Sequence, residues 1–68
     1  MAADLEHLRE RLAGLAEDLG EAGLERLRRA VEASDDDERA ALAAQERRLA
    51  RARRAVEKAS ALLHEPDP

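Results

Sequence analysis

LAAQERRLARARRAVEKASALL, residues 42–63, carries Leu42, Leu49, Val56 and Leu63 at intervals of seven. Between them, at the half-steps, stand Gln45, Ala52 and Ala59. This is an a/d seam with large residues at one position and small ones at the other. A helix with such a seam can lie very close to a second helix, because the small positions leave room for a facing backbone or Leu. The stretch therefore says that the chain presses helices together.

Upstream, Ser34-Asp35-Asp36-Asp37-Glu38 marks the clearest boundary. Ser34 with Asp37, or Asp35 with Glu38, fits the spacing of a capping box. The carboxylates suit the positive end of a helix dipole, and Arg26, Arg28 and Arg29 precede them where a helix C-terminus favours cations. One helix is expected to end near Ala33 and the next to begin near Asp35. So short a connection implies an antiparallel hairpin.

Further upstream, Asp4 can cap a first helix. Leu5, Leu8, Leu12, Leu15 and Leu19 then follow at spacings of 3, 4, 3 and 4. At Gly20-Glu21-Ala22-Gly23 the pattern slips. Leu24, Leu27 and Val31 form a second stripe, rotated from the first by roughly 110° at 100° per residue. Gly20 could end a helix as a C′ residue, or a continuous helix could bend here. Four residues that include Ala and Glu make a poor loop, so continuity or a kink is expected. Downstream, Pro66 and Pro68 stop the last helix, and Glu65 before Pro66 is already biased out of helical geometry.

The expected fold class is thus all-α: a helical hairpin forming a single domain over residues 1–68. Its helices span about 4–33 and 35–64, with a turn at 33–35 and a tail at 65–68. Charge supports the pairing. Residues 4–21 hold six acids and two Arg, whereas 47–58 hold five Arg and Lys58 against Glu57 alone. Folding at 33–35 lays these stretches side by side, and opposite charges help to set the register.

Composition agrees and narrows the function. Ala, Glu, Lys, Leu and Arg supply 49 of 68 residues, the composition of long helices. Charged residues reach 41% but nearly cancel, leaving −4, which argues against disorder. Arg far outnumbers Lys, and Ile and Asn are missing, as in a GC-rich or thermophilic source. The large apolar set is only 11 Leu and 2 Val, a thin core for a lone hairpin. A second copy packing against the first, as a dimeric four-helix bundle, is the natural remedy. In that bundle Leu5, Leu8, Leu12, Leu15 and Leu19 form one core stripe. Leu42, Leu49, Val56 and Leu63 form the other, with Ala52 and Ala59 permitting close approach. Leu24, Leu27 and Val31 pack near the turn or against the second copy.

The absence of Cys removes disulfides, thiolate metal sites and redox chemistry. The absence of Phe, Tyr and Trp removes base stacking and aromatic interface anchors. No apolar run approaches the roughly 20 residues that cross a bilayer. The start, Met-Ala-Ala-Asp-Leu-Glu, lacks the basic and apolar segments of a signal peptide, so a cytoplasmic location without membrane attachment is expected. Catalysis is not expected: Ser34 and Ser60 are the only serines, no His is placed to activate either, and small bundles rarely enclose a pocket for a small-molecule substrate.

Four local features admit a functional reading beside a plain one. Arg47, Arg51, Arg54 and Lys58 share a helix face opposite the seam and could track phosphates; a solvated face, in a chain that is acidic overall, is the favoured alternative. Asp35 to Glu38 lacks the loop spacing of a cation site and reads as helix capping. Asp4, His7 and Glu10 follow a spacing used in di-metal bundles but lie off the Leu stripe, so no metal or cofactor is expected. Gln45, polar on the seam, could fix register or reach water near a bundle end.

Two helices joined by an acidic turn within 68 residues resemble, in architecture, the plasmid copy-number control hairpin. That family forms dimeric four-helix bundles and binds paired RNA loops, so the resemblance implies a homodimer. Leu24 to Arg54 also resembles in outline the docking helices at the ends of modular polyketide synthase subunits. The functional expectation is a small non-enzymatic dimerisation module, adaptor or regulatory subunit with a possible protein partner. Alternatives are a nucleic-acid-binding regulator using the Arg stripe, and an antitoxin-like or anti-sigma-like inhibitor that masks a partner's groove.

Overall fold

A computed structural model describes residues 4–66. Two helices account for nearly all of them: α1, Leu5–Glu32, and α2, Asp36–His64. They pack along their whole length as an antiparallel hairpin 52 Å long. The expectations for Met1–Ala3 and for the tail at 67–68 lie outside the described residues.

Local chemistry accounts for the boundaries. The Asp4 carboxylate accepts from the Glu6 amide at 3.0 Å, and the Asp35 carboxylate accepts from the Asp37 amide at 3.3 Å. Each takes up one of the amides that a helix start leaves unpaired. Asp35, not Ser34, is thus the cap of α2. α1 runs through Gly20 and Gly23 without interruption. Its end needs no left-handed residue, because Ala33 leaves the helix in extended geometry.

Without a glycine cap, the last carbonyls of α1 need other donors. Arg39 supplies them from the next helix. Its Nε donates to the Ala30 carbonyl at 3.3 Å and its Nη2 to the Ala33 carbonyl at 2.6 Å. At the far end Arg9 returns the favour, its Nε donating to the Leu63 carbonyl at 2.7 Å. Each helix therefore has its C-terminal end capped by an arginine of the other.

The seam between the helices departs from the expected one. On α1 it follows Leu12, Ala16, Leu19, Gly23 and Ala30, all buried or half-buried, and ends on the buried Ala33. Leu12 and Leu19 keep their places. Leu8 is half-buried at the edge, whereas Leu5 and Leu15 are exposed. Leu24, Leu27 and Val31 are exposed as well. The cause is geometric: two stripes about 110° apart cannot both face one partner helix. The seam passes between them, through the small residues. There the Leu column of α2 can come close, and Leu42, seated on Ala30 and Ala33, is 3% exposed.

On α2 the Leu42, Leu49, Val56 and Leu63 column faces α1, as expected. The half-steps differ: Glu46 and Ser60 are half-buried, whereas Gln45 and Ala52 are exposed and Ala59 is half-buried at the margin. Spacings of 3-4 and 4-3 share the same Leu column, so the facing helix chooses between them. Gln45 consequently sits beside the seam, where its Oε1 accepts from Arg26 Nε at 3.3 Å.

Charge pairing is looser than the segregation of acids and bases suggested. Among the described residues the salt bridges join neighbours on one helix: Arg9 to Glu6, Arg39 to Asp36 and Arg53 to Glu57. Among the described residues no interhelical pair closes to contact. The opposite charges act at longer range, where salt screens them.

Candidate interaction surface

Because the seam runs between the two stripes of α1, the hairpin presents apolar residues on both flanks. Near the open end one flank carries Leu8 and Leu15. They border a cleft of about 520 Å³ along α1 with Leu12 and Gly14, edged by Arg11 and Asp18. Ala52 and Ala59 lie on the same side of α2, at the half-steps the hairpin does not use. The other flank carries Leu24, Leu27 and Val31 near the turn. Val31, at 85% exposed, is the barest of the large apolar side chains among the described residues.

The second flank is grooved. A trough of about 760 Å³ runs between the helices, with Ala13, Ala16, Gly20, Ser60 and Ala61 among the residues lining it. It continues past Gly20, Leu24 and Arg53 into a further 350 Å³ bounded by Leu27, Glu46 and Ala50. Gly20 matters here because the Arg53 guanidinium lies over it: a Cβ at that position would stand 2.8 Å from Arg53 Nη1. Glu57 lies 3.9 Å from Arg53 Nε, and Glu17 and Glu21 line the same trough.

Arg47, Arg51, Arg54 and Lys58 are all exposed, and among the described residues none joins a salt bridge. Asp4, His7 and Glu10 are exposed too, and among the described residues no group of three metal-ligating side chains is gathered. His64 Nδ1 donates to the Ser60 carbonyl at 2.7 Å, not to its hydroxyl. Among the described residues no helix is long and apolar enough to cross a membrane.

The two arginine caps escaped the sequence reading. A signal was present: an Arg in the first turn of a helix, just after a short turn, is within reach of the preceding helix's last carbonyls. Arg39 meets that description, and Arg9 is its counterpart once the hairpin closes.

The structure defines the chain as an all-α helical hairpin. Comparison with protein-family models, with curated proteins and with solved structures finds no match.

Proposed function

We propose that this chain is a small non-enzymatic interaction module that works by self-association, as a dimerisation or adaptor subunit. One observation carries the reading. Among the described residues Ala30, Ala33 and Leu42 are the buried apolar ones, while Leu5, Leu15, Leu24, Leu27, Val31 and Leu62 are all 45–85% exposed. Covering the exposed half of a Leu contributes about 1 kcal/mol, so association still has apolar surface to gain. Sedimentation equilibrium at micromolar concentration should return a mass near twice 7.5 kDa. The thermal midpoint should rise with protein concentration, since partner binding is linked to folding. A fully helical species of single-chain mass across that range would overturn the reading.

A nucleic-acid-binding role is the second reading, favoured by the four exposed cations, none of which joins a salt bridge among the described residues. It predicts binding of duplex RNA or DNA that weakens with salt at a log–log slope of about −3 to −4 for four contacts. Absence of binding at low salt would remove it.

A further inference from the structure

On the flank that carries Leu8, Leu15 and Ala52, but nearer the turn, a cleft of about 340 Å³ opens between the helices. Gln45, Arg48, Leu49 and Ala52, spaced i, i+3, i+4 and i+7, give it one face of α2, and Arg26 of α1 closes the other side. Leu49 and Ala52 supply its apolar surface. Arg26 is half-buried, and its Nε donates to Gln45 Oε1 at 3.3 Å across the cleft. That bond orients both groups. It leaves the Arg26 Nη donors and the Gln45 amide N–H donors without a protein acceptor among the described residues.

Neither arginine has a neutralising neighbour. The salt bridges among the described residues join side chains three or four apart on one helix. Three and four residues from Arg26 stand Ala22, Gly23, Arg29 and Ala30; from Arg48 stand Ala44, Gln45, Arg51 and Ala52. Glu25 lies about 100° round α1 from Arg26, and Glu46 lines the opposite flank. Clefts elsewhere on the hairpin each include a carboxylate: Glu57 in the trough, Glu46 beyond it, Asp18 beside Leu15 and Glu32 at the turn. This one holds two guanidiniums and no acid, in a chain of net charge −4.

We propose that this cleft binds a carboxylate carried on an aliphatic stem. Two planar guanidinium forks and an amide suit a planar two-oxygen acceptor, and Leu49 and Ala52 take the methylenes beside it. A bare phosphate would leave that apolar surface uncovered. The stem belongs either to a free short-chain acid or to a glutamate side chain of a docking polypeptide. The cleft lies within one hairpin, so the assignment is independent of self-association.

Titrating the isotope-labelled full chain at low salt tests it, with hexanoate, acetate and inorganic phosphate as probes. The side-chain resonances of Gln45 and the arginine Nε groups are the readout. Hexanoate should shift Gln45, Arg26 and Arg48 saturably, and should bind at least about threefold tighter than acetate because its methylenes are partly buried. Arg26→Gln and Arg48→Gln should each weaken hexanoate about three- to tenfold, with helicity at 222 nm confirming that the hairpin persists. Arg28→Gln, which removes the same charge away from the cleft, should leave the affinity unchanged. A helical Ala-rich peptide with one Glu that displaces hexanoate and binds more tightly assigns the stem to a polypeptide; weaker binding assigns it to a free acid. Phosphate binding tighter than hexanoate overturns the aliphatic stem. Unsaturable shifts, or equal losses in all three variants, overturn the site.

Discussion

Arg39 Nη2 donates to the carbonyl oxygen of Ala33 at 2.6 Å, and the same guanidinium reaches the Ala30 carbonyl through Nε at 3.3 Å. One side chain of α2 thereby ends α1. It does so where the chain lacks the left-handed glycine that commonly closes a helix. The arrangement ties the turn to the start of the second helix.

Removing that clamp should be felt in stability. Arg39→Ala leaves two carbonyls to water and is expected to cost about 1 kcal/mol, discounted because the side chain is half exposed. In a domain this small, that lowers the thermal midpoint by roughly 4–8 °C. Arg39→Lys, with one donor head and no fork, should recover only part of the loss. Melts of both variants that superpose on the wild type would refute the clamp.

Leu42 and Val31 should respond in opposite ways. Leu42 is 3% exposed and Val31 85%. Leu42→Ala empties the best-packed site and should cost about 2–4 kcal/mol, enough to unfold much of so thin a hairpin. Val31→Ala should leave a dilute, unassociated hairpin within about 0.5 kcal/mol of the wild type. Any larger loss should appear only as protein concentration rises. Helicity at 222 nm against urea, at two protein concentrations, separates these outcomes.

The glycines of α1 offer a graded series. A Cβ at Gly14 meets nothing within 4 Å, so Gly14→Ala should stabilise by nearly the full helix-propensity difference, about 1 kcal/mol. Gly20→Ala gains the same propensity but must push aside the Arg53 guanidinium, which a flexible side chain allows at some cost. The expected order of thermal midpoints is Gly14→Ala above Gly20→Ala. The reverse order would mean that Arg53 does not rest on Gly20 in solution.

Seam register can be read from two overpacking substitutions. Ala30 is buried beneath Leu42, and Ala30→Leu should destabilise by about 1–3 kcal/mol. Ala52 is exposed, and Ala52→Leu should leave the hairpin's melting unchanged within about 0.5 kcal/mol. If Ala52→Leu proved the more damaging, the half-step would be Gln45, Ala52 and Ala59 after all.

The Asp4 N-cap, Asp35 as one of two candidate N-caps beside Ser34, the three-residue connection, the helical state of nearly every described residue and the closing of a hairpin were legible in the chain itself. Asp4, Asp35 and the run of acids after it act within one turn of their own position, so the residues alone determine them. Continuity through Gly20 and Gly23 was legible for the same reason: Ala and Glu between the glycines favour helix more than loop. The seam was not. Leu42, Leu49, Val56 and Leu63 serve equally with the half-step before or after, and local energies do not distinguish the two. Only the facing helix, which offers Gly23, Ala30 and Ala33 as the place of closest approach, selects Glu46 and Ser60 over Gln45 and Ala52. That choice turns Leu15 to one flank and Leu24, Leu27 and Val31 to the other, because a helix can press only one side against a single neighbour.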